Sequence, residues 1–352
     1  MLRTLLSEDF PRSRALTAVV LLIVVGLALA PFAFPGIRSL NTAATICIFI
    51  VLVASYDLLL GYTGIVSFAH TMFFGIGAYG VALALKAFPA SWGAVALGAG
   101  AGLVLAMALA LVIGLFALRV QAIFFAMVTL AVASAFLILA SQLSGITGGE
   151  DGLTYRVPRE LSPAFKLISA KVMDVRVDGR VVSYYLIFGS ALALVLGLLR
   201  VVNSPFGRVL QAIRENEFRA EAIGYRTAFY RTAATCLSAG AAALAGVLMA
   251  LWTKYTGPDT TLSLSIMIDI LLMVVIGGMG TIYGAVVGAT LFVLAKNYLQ
   301  VLMASAAETT AGVPLLSELV SPDRWLLWLG ILFVLSVYFF PAGIVGRLRG
   351  RV

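Results

Sequence analysis

Residues 67–88 read SFAHTMFFGIGAYGVALALKAF. Gly75, Gly77 and Gly80 spell G-x-G-x-x-G, the spacing with which a strand-to-helix turn cradles a dinucleotide pyrophosphate. Two conditions of that turn are missing. No strand-like run precedes it, and no acidic residue follows about 20 residues on to hold a ribose. The glycines lie instead in an apolar run, where such spacing lets helix backbones approach closely in lipid. A glycine-rich helix can also unwind around a transported substrate. Ser67, His70, Gly75 and Gly77 are therefore candidates for a translocation path as well as for helix packing.

The rest of the chain supports the membrane reading. Of 352 residues, 62% are hydrophobic and 11% charged, with a mean hydropathy of +1.06. Soluble domains carry about a quarter charged residues, and one this apolar would expose aggregating patches. The expected class is an all-α polytopic membrane protein whose surface faces lipid. The net charge of +8 comes mostly from arginines flanking apolar spans, as membrane orientation demands, so no nucleic acid partner is implied. Cys47, Cys236 and a lone His70 offer neither a disulfide pattern nor a metal set.

Runs of about 20 apolar residues cross a hydrocarbon core of about 30 Å. Ten are expected, at 15–35, 40–60, 63–86, 91–117, 122–143, 183–201, 230–253, 262–279, 282–304 and 324–341. Residues 15–30 resemble a signal peptide ending in Ala-Leu-Ala, but Pro31 is a poor cleavage context, so a retained first helix is expected. Arg3, Arg12, Arg14, Arg119, the run from Arg200 to Arg231, and Arg347, Arg349 and Arg351 all fall on one side of a ten-span map. Both termini are then cytoplasmic, with a short segment at 1–14 and a basic tail at 343–352. The transmembrane domain occupies 15–342, with an outer loop at 145–182 and a cytoplasmic loop at 203–229. The outer segment holds six basic and five acidic residues and is nearly neutral.

Enzyme chemistry finds little support. Walker A needs G-x-x-x-x-G-K-[ST], and the dipeptide Gly-Lys occurs nowhere. The G-x-S-x-G nucleophile elbow is absent too, as is the G-x-G-D half of an intramembrane aspartyl pair. Any ATP hydrolysis must come from another subunit. Ionisable groups inside spans are costly and usually face a bundle interior. Asp57, His70, Asp269 and Lys296 are the candidates here. Asp57 fits a membrane edge and Lys296 can snorkel. Asp269 either lines the path or pairs with a neighbouring helix.

The segment NSPFGRVLQAIRENEFRAEAIGYRTAFYR, residues 203–231, reads as a short amphipathic helix. Ser204 and Pro205 open it, and Phe206, Val209, Leu210, Ile213 and Ala220 form an apolar stripe. Arg208, Gln211, Glu215 and Arg219 line the other face, with Glu215 and Arg219 spaced i, i+4. Gly224 reads as the C-cap. Such a helix is either a plain surface element or a knob for a cytosolic partner.

This run resembles the coupling loop of the permease subunits of bacterial branched-chain amino acid ABC importers, most like the M-type permease of the leucine, isoleucine and valine system. GYTGIVSFAHTMFFGIGAYG at 61–80, ITGGEDGLT at 146–154 and GGMGTIYGAVVGA at 277–289 agree with it, and the resemblance covers about residues 40–345. The generic importer signature is Glu-Ala-Ala followed by a glycine after three more residues. Glu221-Ala222-Ile223-Gly224 shortens that spacing, as the branched-chain subfamily does.

The resemblance implies a bacterial inner-membrane importer working by alternating access. It implies a sister permease, two cytosolic ABC ATPases and a periplasmic substrate-binding protein as partners. It implies no cofactor on this chain, with ATP and Mg on the ATPases. Arg208, Ile213, Arg214, Glu215, Asn216, Glu217, Glu221 and Gly224 would face an ATPase. Asp269, Gly278 and Gly280 join Ser67, His70, Gly75 and Gly77 as path candidates. Thr147, Gly148, Gly149, Glu150, Asp151 and Gly152 would shape the outer mouth or the receptor-docking surface. Branched-chain amino acids are the default cargo, with urea, amides and aromatic acids open within the same importer type. An ion-coupled secondary transporter is the rival class.

Overall fold

The computed structural model describes residues 13–34, 36–117, 122–172, 175–309, 321–340 and 343–348. Arg3, Arg12, Arg119, Arg349 and Arg351 lie outside them. Among the described residues nine helical segments are long and apolar enough to cross a membrane, which makes the chain an all-α, multi-pass membrane protein. In chain order the helices are α1 (Arg14–Ala33), α2 (Ile37–Thr63), α3 (His70–Ala87), α4 (Trp92–Ala117) and α5 (Ala122–Gln142). A short α6 (Ser144–Thr147) is followed by strands β1 (Leu153–Thr154), β2 (Lys166–Val172) and β3 (Val175–Asp178), then by α7 (Gly179–Val202). Two short helices, α8 (Pro205–Glu215) and α9 (Glu217–Ala222), precede α10 (Thr227–Thr253) and β4 (Tyr255–Thr256). The chain closes with α11 (Pro258–Thr261), α12 (Leu264–Gly277), α13 (Ile282–Thr309), α14 (Trp325–Phe339) and α15 (Gly343–Leu348).

The third expected span departs from the sequence reading. Its helix, α3, starts only at His70 and runs 18 residues. Helix α2 stops at Thr63 because Gly64 turns left-handed, φ +73°, a conformation in which a side chain is strained. Residues 64–69 then run without helical hydrogen bonds, although Ile65, Ser67 and Ala69 are buried. Unpaired peptide groups at that depth are tolerated only inside protein, and local partners meet the need. The Ile65 amide donates to the Leu59 carbonyl, the Phe68 amide to Thr129 Oγ1 at 3.0 Å, and the Ala69 amide to Ser67 Oγ at 3.3 Å.

The buried centre is α2, α3 and α10, with buried side chains along most of each. Helix α3 packs against α10 and α4 through small residues. A methyl at Gly77 would overlap the Ala243 carbonyl, and one at Gly246 would overlap the Phe74 carbonyl. Gly80 and Gly98 oppose one another across α3 and α4 in the same way. The glycine string thus serves backbone contact between helices, where dispersion rather than water expulsion drives association. Helices α1, α4, α5 and α14 keep many large apolar side chains exposed, as a lipid-facing rim does.

The long segment expected outside also differs from its expected bounds. Helix α7 begins at Gly179, because the Asp178 carboxylate accepts from the Arg180 and Val181 amides at 3.1 and 3.3 Å, a side-chain N-cap. Strands β2 and β3 form an antiparallel hairpin, and β1 pairs with β4. Gly77→Ala is expected to lower the unfolding temperature of the purified protein, since overpacking a tight contact costs about 1–3 kcal/mol. Gly100→Ala, with nothing within 4 Å of the added methyl, is expected to leave it unchanged or raise it slightly.

Candidate functional site

Three regions hold the candidate residues. The first lies at the end where α7 leaves the membrane. The run read as one amphipathic helix folds as two, α8 and α9, broken at Asn216. Asn216 is extended, φ −160°, and its side chain accepts from the Arg219 amide at 2.9 Å, so the same residue ends one helix and caps the next. The expected Glu215–Arg219 helical pair is therefore interrupted. Pro205 starts α8 as read, but Ser204 Oγ donates backwards to the Val201 carbonyl at 2.6 Å instead of capping.

The expected apolar stripe turns inward. Val209, Leu210, Ile213 and Ala220 are buried, and Phe206 stacks on Tyr230 at 5.6 Å. Glu217 pairs with Arg231 at 2.6 Å, and Thr227 Oγ1 donates to Glu221 Oε1 at 2.6 Å. Ile213 thus faces its own chain. Arg208, Glu215, Asn216, Glu221 and Gly224 are exposed. Beside them stand exposed apolar side chains that the sequence reading passed over: Phe218, 82% exposed, with Ile223 and Phe229. Their signal was present as large apolar residues off the buried stripe.

Arg214 connects this surface to the membrane core. Its Nη1 donates to the Gly61 carbonyl at the end of α2. One turn earlier, Asp57 is 1% exposed, and its Oδ1 accepts from the Gly280 amide at 2.8 Å. Asp57 is thus enclosed by protein. It meets the start of α13, where free amides and the helix dipole favour negative charge. Gly61 has no room for a side chain: a methyl there would overlap both Asp57 Oδ1 and the Gly280 amide. Gly280 itself is left-handed, φ +81°. Gly278 and Gly280, taken as path candidates, belong to this junction of α2, α12, α13 and the α8–α9 segment.

In the second region, within the helix bundle, Ser67 and His70 are buried where α3 begins. Ser55 Oγ donates to the Leu52 carbonyl at 2.7 Å, so it accepts from His70 Nε2–H at 2.9 Å. The ring stands edge-on to Tyr56 and Phe73. Gly75 sits against Leu262 and Gly77 against Ala243, so all four face protein in this conformation. Asp269 pairs with Lys296 of the neighbouring helix, Nζ to Oδ2 at 2.5 Å.

The third region, at the opposite end, contains ITGGEDGLT. Gly148, Gly149 and Gly152 are left-handed, φ +64° to +78°, and make the tight turn read from sequence. Thr147 Oγ1 donates to the Ala140 carbonyl at 2.5 Å. Glu150 and Asp151 are exposed. Strand β1 clasps β4, Leu153 opposite Thr256, and Tyr255 donates to the Asp151 carbonyl at 3.1 Å. Tyr155 donates to the Ala250 carbonyl at 2.9 Å, and burial pushes its phenol well above the usual range. A cavity of about 450 Å³ opens beside this clasp, lined by Asn41, Asp178, Arg180, Trp252 and Lys254 among others. Desolvation first, then the Arg180 charge, pulls the Lys254 ammonium below its ordinary value.

Residues 38–337 match the family described as "Branched-chain amino acid transport system / permease component". The chain belongs to this family. It is 27% identical over 278 residues to the high-affinity branched-chain amino acid transport system permease protein LivM of Salmonella typhimurium, covering 74% of this chain and 64% of that one. The LivM protein of the same description from Escherichia coli is 26% identical over 298 residues, 79% of this chain and 68% of its own. A probable branched-chain amino acid transport permease protein LivM of Methanocaldococcus jannaschii is 30% identical over 148 residues, 42% of this chain and 41% of its own. The chain thus spans less than two thirds of the length of the Salmonella relative. No solved structure matches it significantly.

In this permease the Asp57 contact is open to a direct test. Asp57→Ala leaves the Gly280 amide without its acceptor and is expected to destabilise the purified protein by about 1–3 kcal/mol. Asp57→Asn keeps an acceptor oxygen and is expected to lose less. Thermal unfolding of the two variants side by side checks the order.

Proposed function

We propose that this chain is the transmembrane subunit of an ATP-driven importer that moves branched-chain amino acids into the cytoplasm. The observation that carries the reading is the α8–α9 knob. It exposes Phe218 and Ile223 among charged residues, while Arg214 on its far side holds Gly61 of the membrane core. A surface helix with no partner has no use for Phe218 in water, whereas aromatic side chains anchor protein interfaces. The amino acid cargo follows from the family and from what its LivM relatives are named for.

On this reading one of two cytosolic ATPases grips the knob, and this chain binds no ATP or Mg itself. A sister permease completes the translocation unit, and a periplasmic receptor delivers cargo at the end that carries ITGGEDGLT. Both termini then lie in the cytoplasm of a bacterium's inner membrane. Displacement of α8 pulls α2 through Arg214. It reaches the α12–α13 hairpin through Gly61 and Asp57, so closure of the ATPases becomes a rearrangement among membrane helices. Alternating access needs such a mechanical link.

The test is co-purification from native membranes together with ATP-dependent uptake by the reconstituted complex. Phe218→Ala is expected to weaken ATPase association about tenfold or more, the scale of an interfacial aromatic anchor. Arg214→Gln is expected to retain the ATPases yet lower uptake per ATP hydrolysed. A permease that purifies alone, with uptake unaffected by Phe218→Asp, would sink the proposal.

A further inference from the structure

The Asp269–Lys296 pair has no account in the packing of the chain. Lys296 is the fifteenth of the 28 residues of α13, and the carbonyl of the next residue, Asn297, accepts from Arg38 at 2.6 Å, which places the pair within the span toward the end where α2 begins. Yet its side chain is 44% exposed, and that of Asp269 is 16% exposed. Ser265 lies one turn before Asp269 on α12, and Gln300 one turn after Lys296 on α13; both are exposed. The i, i+4 spacing on each helix stacks the four into one polar stripe. Such a stripe is costly against lipid, and ionisable groups within a span usually face a cavity or another protein. Lys296 leans toward the start of α13, as helical side chains do, and Asp269 toward the start of α12, so the two meet between their backbones.

We infer that this pair is the point inside the membrane where the permeating amino acid is held. The substrate's carboxylate is taken by the Lys296 ammonium and its α-ammonium by the Asp269 carboxylate, with the apolar side chain against Ile268. The inference rests on the importer reading above. Its logic is charge balance. A zwitterion inserted between Asp269 and Lys296 replaces one ion pair by two, and no charge is left unpaired in a medium where that is costly. A cation or an anion would leave one partner stranded, so the stripe selects against both. Half-exposure of Lys296 gives the substrate a side from which to approach. A purely structural bridge would gain nothing from Ser265 and Gln300 beside it.

The experiment uses the whole complex, reconstituted in nanodiscs and vesicles. In a Cys47→Ala/Cys236→Ser background, Gln300→Cys is exposed to a water-soluble, membrane-impermeant methanethiosulfonate. The expected result is labelling that leucine, supplied with receptor and ATP, slows fivefold or more. A thiol that does not react, or reacts at a rate indifferent to leucine, overturns the inference. In parallel the neutral pair Asp269→Asn/Lys296→Gln, which preserves shape and charge balance, is expected to lose tenfold or more of leucine uptake while the ATPases still co-purify. Wild-type uptake by that double variant shows a structural bridge only and overturns the inference. Absence of ATPases from the wild-type complex would instead overturn the importer reading itself.

Discussion

Hydrocarbon offers a peptide group no water, and this chain is organised around that fact. Helices satisfy the requirement along nearly all of their length. One buried departure, residues 64–69, survives because Thr129, Ser67 and Leu59 supply partners where lipid would not. That repair works only if α5 and α2 stay close to the break, so the fold depends on tight helix contact. Small residues provide it. Gly77 against Ala243, and Gly246 against Phe74, bring α3 and α10 to backbone distance, and the remaining helices gather around that core.

Low dielectric treats the two intramembrane acids differently. Asp57 is sealed in and answered by an amide at the start of α13, a fixed neighbour that cannot leave without moving the helix. Asp269 is answered by a flexible lysine on the open side of the same hairpin. One arrangement suits a permanent joint, the other an exchangeable contact. The distinction rests on the partner's freedom to move rather than on the depth of the carboxylate.

Much of this was legible from residue order alone. The helix pattern followed from apolar runs of bilayer length, and the buried stripe of α8 from the spacing of Val209, Leu210 and Ile213. The turn at Gly148–Gly152 followed from residues that tolerate left-handed backbone. What escaped were contacts between residues far apart in sequence. Asp57 meets Gly280 across 223 positions, and Arg214 meets Gly61 across 153; no local pattern marks either partner. The break at Asn216 escaped for another reason. Its helical neighbours kept their 3.6-residue rhythm on both sides, and only the asparagine's preference for backbone hydrogen bonds hinted that the rhythm restarts there.

Helix α10 is an uninterrupted rod of 27 residues, about 40 Å long. One end emerges directly from the α8–α9 knob, and the other runs into β4, which is zipped to β1 beneath the ITGGEDGLT turn. No proline interrupts it, and its close contact with α3 resists bending. The two surfaces on opposite sides of the bilayer are therefore heads of a single lever. A tilt of a few degrees at one head would displace the other by roughly 2–3 Å over that length, so under the proposed importer reading motion at one face would reach the other as geometry, beside the contact through Arg214.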